Sequence, residues 1–61
     1  MLFQAVKKLC MERGTSIRQL EEKLEFSRGS IDKWKTSTPS IDKVQKVANE
    51  FNVTVDYLLR S

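Results

Sequence analysis

The chain has 61 residues, 39% of them hydrophobic and 31% charged, with a formal charge of +3. That is room for one small domain, residues 1–61, too apolar for a disordered segment and too short to enclose a deep catalytic cleft. There is no His, and Cys10 is the only cysteine, which excludes an intramolecular disulfide and any ordinary zinc site.

The first predicted helix carries Leu2, Val6, Leu9 and Cys10 on one apolar stripe with Phe3 beside it, and Gly14 follows as its stop. Ser16 opens the second helix. Ser16 and Gln19 form a capping box, and Ile17, Leu20 and Leu24 face the core. Glu25, Phe26 and Ser27 make a break. Ser27 is then the expected N-cap of a third helix with Ile31 and Trp34 turned inward. Thr36, Ser37 and Thr38 form a polar loop that ends at Pro39. Ser40 caps a fourth helix with Ile41, Val44, Val47, Ala48 and Phe51 at helical spacing, and Asn52 ends it in a left-handed conformation. Thr54 caps a fifth helix carrying Val55, Leu58 and Leu59, and Val53 stands before it as a hydrophobic staple. No useful period-two alternation occurs, so the expectation is all-α: a compact five-helix bundle.

Two helices as short as those predicted over 16–35 bury little by themselves. Such a pair is commonly used to hold its second helix out into a DNA major groove. Charge placement agrees. Residues 1–13 and 27–39 carry a net +2 each, residues 17–26 carry −1 and the rest is neutral, so the positive excess sits on the first helix and on the segment expected to enter the groove.

The segments VKKLCMERG, SIRQLEEKL, FSRGSIDKW, PSIDKVQKVANEFNV and TVDYLL together resemble the lambdoid-repressor/Cro-like (XRE) helix-turn-helix proteins of phages and bacteria, over almost the whole chain. The resemblance implies a five-helix bundle whose second and third helices form the DNA-binding unit, and a homodimer on an operator. Four departures stand out. Ile17 occupies the position where relatives often carry a phosphate-contacting Gln. Glu21 replaces a small Ala between the second and third helices. Glu25 replaces the turn Gly, where positive φ disfavours other residues. Cys10 and Lys35 replace an Arg and a Glu that pair in many relatives, and losing both partners together can be near neutral. Glu21 and Glu25 are expected to bear on the interhelix angle and to place negative charge near the groove.

On that docking geometry the base-reading candidates are Arg28, Gly29, Ser27, Lys33 and Asp32. Arg28 has the fork that bonds guanine O6 and N7 together. Asp32 can accept from cytosine N4, and Gly29 lets backbone approach a base closely. Ser27 combines capping with a possible DNA contact. Phosphate-contact candidates are Arg18, Ser30, Lys35, Thr36, Ser37 and Lys43. The bland alternative for each is a solvated surface side chain. In the last helix the resemblance suggests that Val55, Tyr57, Leu58 and Leu59 divide between covering the core and meeting a second subunit, in a weak or DNA-assisted homodimer.

The leading reading is a sequence-specific double-stranded-DNA-binding transcriptional regulator, a Cro-like or phage-type repressor on an operator. The alternative is a helical protein-interaction module that antagonises a related regulator and has lost operator recognition. A third possibility concerns boundaries: the chain as the DNA-binding part of a longer repressor. An enzyme is not expected, since no His, no carboxylate pair in a cleft and no partnered nucleophile are present. No cofactor or metal is implied. No apolar run approaches the ~20 residues of a membrane span and no signal peptide is visible, so a reducing cytoplasm is the expected compartment.

Overall fold

The structure is a computed structural model that describes residues 2–60. Its helices are α1 (Leu2–Glu12), α2 (Ile17–Lys23), a 3₁₀ helix (Asp32–Lys35), α3 (Ile41–Phe51) and α4 (Val55–Arg60). There is no strand among the described residues, so the all-α expectation holds. The count does not: among the described residues four α-helices form, and the expected third helix is replaced by turns over 28–31 followed by a 3₁₀ stretch. Among the described residues, no helix is long and apolar enough to cross a membrane.

The apolar stripe of α1 makes that helix the hub. It packs against α2, the 3₁₀ helix and α4, and α4 also packs against α3. Val6, Ile31, Val47 and Leu58 come from four separate segments, and all are 0% exposed within one core cluster. Leu9, Cys10, Leu20, Trp34, Val44 and Phe51 complete most of its wall. Ile17, Leu24, Val53 and Val55 pack on it half-buried. Ile41 departs from the expected pattern. It is the first residue of α3, where the stripe runs past the edge of the core, and it is 60% exposed.

The ends of three α-helices share one solution. After α1, Gly14 at φ +69° lets its own N–H reach the Met11 carbonyl and the Thr15 N–H reach the Cys10 carbonyl. After α2, Glu25 at φ +60° does the same, with its N–H on Glu22 and the Phe26 N–H on Glu21. After α3, Asn52 at φ +56° repeats the pattern, with its N–H on Asn49 and the Val53 N–H on Ala48. Each is a Schellman closure, which satisfies carbonyls the helix itself leaves open. The turn geometry expected at residue 25 is therefore present, though a glutamate holds it.

The N-terminal caps are mixed. Ser16 and Gln19 form the full capping box, and the Thr54 hydroxyl accepts from the Tyr57 N–H at 3.0 Å. Ser40 makes no side-chain cap bond, and only its carbonyl engages the first turn of α3, accepting from Lys43 and Val44.

Candidate nucleic-acid interface

Segment 27–35 joins α2 to the polar loop before α3, and its inner edge is anchored as predicted by Ile31 and Trp34, both buried. Its local conformation is not the predicted one. Gly29 sits at φ +86°, a left-handed backbone that interrupts any α-helix started at Ser27. A Cβ there would meet nothing of the chain within 4 Å, so within the fold the glycine serves the turn. The cap expected from the Ser27 hydroxyl comes from elsewhere. The carboxylate of Glu21, on α2, accepts from the Gly29 N–H through Oε1 at 3.1 Å and from the Ile31 N–H through Oε2 at 2.9 Å. Ser27 contributes only its carbonyl, which accepts from the Ser30 N–H at 3.0 Å.

Glu21 is 4% exposed. Its two oxygens are engaged by the backbone of the neighbouring segment, so its negative charge lies beside that segment but is committed within the fold. Its position supplied a clue. On α2 it follows Leu20 and lies four residues after Ile17, on the inward stripe, where a carboxylate needs partners within the fold.

The outward flank of segment 27–35 presents Arg28, Asp32 and Lys33 exposed, with Ser27 beside them and Ser30 half-buried. Arg28 and Arg18 line one small cleft together with Glu21, Glu22 and Phe26. The Lys43 ammonium stands 5.9 Å from the centre of the same Phe26 ring, and that ring tilts against Trp34 at 6.3 Å between centroids. The structure thus places two predicted cations, Arg18 and Arg28, in one cleft with Phe26 and the carboxylates of Glu21 and Glu22, and brings a third, Lys43, near the Phe26 ring. By sequence Phe26 belongs only to the break between the two helices. Among the described residues the ion pairs are Lys23–Glu50, Lys35–Asp32 and Arg60–Asp56, so none of these three cations is held in one.

Two other candidates are engaged within the chain. Asp32 pairs with Lys35 at 3.0 Å, an exposed i,i+3 pair, and the Lys35 ammonium also lies 4.9 Å from the centre of the Phe3 ring. Thr36 and Ser37 are exposed at the end of the 3₁₀ helix, and the Thr36 hydroxyl donates weakly to the Lys33 carbonyl at 3.4 Å. On α4 the four dimer candidates separate. Leu58 is fully buried in the chain's own core and is not an interface residue, because α4 turns it toward α1 and α3. Tyr57 and Leu59 are 46% and 54% exposed, and Val55 is half-buried.

A family model described as helix-turn-helix matches residues 6–58, from within α1 into α4. No curated protein and no solved structure is significantly similar to the chain.

Proposed function

We propose a function from one premise: the chain belongs to the helix-turn-helix family, in its XRE-type DNA-binding branch. A protein of this kind is a DNA-binding transcription regulator that takes double-stranded DNA as its partner. Beyond that, the chain is a Cro-like or phage-type repressor that occupies a specific operator as a homodimer, pairing weakly or only on the DNA. The observation that carries this reading is the cleft that Arg18 and Arg28 share with Phe26, whose ring the Lys43 ammonium also approaches, all three cations being exposed and outside any ion pair among the described residues. Cations so placed attract a phosphate backbone and displace its counterions. Arg18 and Lys43 hold the register on phosphates. Arg28, with Lys33 farther along the same flank, reads base edges. Two copies would place their segments in successive major grooves about 34 Å apart, where the bound protein occludes polymerase.

The engagement of Glu21 supports this reading over an interaction module, since a buried carboxylate whose oxygens accept from two backbone amides opposes DNA less than a free one on the surface. Selection of duplexes from a random pool tests it, followed by a salt titration of the winning sequence. A preferred, two-fold related site whose affinity falls steeply with salt is expected. Absence of any preferred duplex, together with salt-insensitive capture of a protein partner, would establish the interaction module instead.

A further inference from the structure

We propose that Glu21 is a positioning residue that sets base specificity by fixing the shape of the segment carrying Arg28; the proposal rests on the DNA-binding reading above. Glu21 reaches from one element to the next. Its backbone belongs to α2, and its two oxygens take the amides of Gly29 and Ile31, on either side of Ser30. Arg28 immediately precedes the first of those amides. The clamp therefore fixes the direction in which the Arg28 side chain leaves the backbone, and it holds the left-handed turn at Gly29 that keeps residues 28–31 out of an α-helix.

The chemistry suits a carboxylate better than its neighbours in the genetic code. A buried carboxylate without compensation is strongly disfavoured. Glu21 is nearly inaccessible and enters no ion pair among the described residues, so the two N–H groups are the compensation it has. A glutamine of the same length keeps one acceptor and turns an NH2 toward an N–H, which breaks half of the clamp. An aspartate keeps both oxygens on a stem one methylene shorter. Base reading by a bidentate arginine demands close positional tolerance, so a loosened segment loses discrimination before it loses phosphate attraction.

The test uses the full chain and its Glu21→Gln and Glu21→Asp variants, with two readouts taken where each is fully folded by circular dichroism. Amide exchange at Gly29 and Ile31 is expected to rise tenfold or more in Glu21→Gln while exchange at Val47 in the core is unchanged. The ratio of affinities for the selected duplex and for duplexes changed at the Arg28-dependent base pair is expected to fall about tenfold, with binding to random duplex nearly constant. Glu21→Asp should lie between the two proteins on both scales. Unchanged exchange at the two amides, or equal weakening on selected and random duplexes, overturns the proposal and leaves Glu21 a packing residue. A parent chain with no duplex preference overturns it through its premise, distinguishably, because the exchange difference would persist.

Discussion

Arg13, the residue just beyond α1, donates through Nη2 to the carbonyl of Phe51 at 2.9 Å and sets its guanidinium 5.7 Å from the centre of that residue's ring. The bond ties the end of one helix to the end of another across 38 positions of chain. Phe51 closes α3, where carbonyls lack helical partners and a cation interacts favourably with the helix dipole. Arg13→Ala should therefore lower stability by about 1 kcal/mol, allowing for solvent access to the pair. In a domain this small that is about 4–8 °C in Tm. Arg13→Lys should recover only part of the loss, since an ammonium lacks the planar fork that bonds and stacks together. A thermal melt of Arg13→Ala superimposable on the parent would show that the contact contributes nothing.

Glu25 holds a left-handed φ of +60° that glycine adopts freely. Relief of that strain is worth roughly 1–2 kcal/mol, and the extra freedom glycine gives the unfolded chain offsets about 0.4–1 kcal/mol of it. Glu25→Gly should stabilise the protein by about 0.5–1 kcal/mol on that balance, visible as a higher urea midpoint at unchanged slope. Gly14→Ala is the mirror experiment. Nothing crowds a Cβ at Gly14, yet its φ is +69°, so any loss in midpoint is purely conformational. A Glu25→Gly variant that unfolds earlier than the parent would contradict the strain account.

These elements show which parts of the structure the sequence could carry. Gly14, Asn52 and the Ser16–Gln19 box act within a few residues, and local chemistry placed them correctly. The inward stripes of α1 and α3 were legible for the same reason, except at Ile41, where the periodicity continues beyond the surface it covers. Segment 27–35 is not legible as it folds, because its conformation is decided from a distance. Ser27 carries a good local capping signal, but Glu21 reaches its amides from the previous helix, and helical spacing alone cannot show which donor a buried carboxylate will find. The surroundings of Phe26 are half legible: each cation stands out by type, while the cleft shared by Arg18 and Arg28 and the approach of Lys43 to the ring depend on how the elements pack.

Cys10 is almost wholly enclosed in the core, and burial pushes its thiol up from its ordinary value. The sign follows directly. The unfolded chain releases this proton at a lower pH than the folded one, so the group's contribution is intact below the unfolded thiol range, around 8.5. It is lost as pH rises from there through the raised folded value. Urea midpoints between pH 7 and pH 10 should fall more steeply for the parent than for Cys10→Ala, whichever protein is more stable at neutral pH. Equal slopes would mean that ionisation of this thiol is not linked to folding.

Leu58 and Leu59 are adjacent and should behave oppositely. Leu58 is fully enclosed by the chain's own core, so Leu58→Ala opens a cavity and should remove about 2–5 kcal/mol of stability. Leu59 is 54% exposed, and Leu59→Lys should leave the melt of dilute protein within about 0.5 kcal/mol of the parent. If α4 supplies the contact between two copies, the same variant should bind a two-fold operator less cooperatively while binding a half-site normally. Sedimentation and gel-shift titrations read both effects. Undiminished cooperativity in Leu59→Lys would move the proposed dimer contact away from this face.

Arg28, which lines a cleft with Phe26, and Lys43, whose ammonium lies near that ring, come from different elements, and the proposed interface gives them different tasks. Arg28 lies on the flank of segment 27–35, where a bidentate contact to guanine is worth about 1–3 kcal/mol of discrimination. Lys43 rises from the first turn of α3 with its ammonium 5.9 Å from the ring, a position suited to one phosphate. Arg28→Ala should therefore relax preference at one base pair of the selected duplex and leave the others sharp. Lys43→Ala should weaken all duplexes alike and reduce the salt slope by about one unit. The two profiles are separable in a single competition experiment against point-substituted duplexes. Uniform weakening by Arg28→Ala would reduce that side chain to a backbone clamp and transfer the reading of sequence to Lys33 and its neighbours.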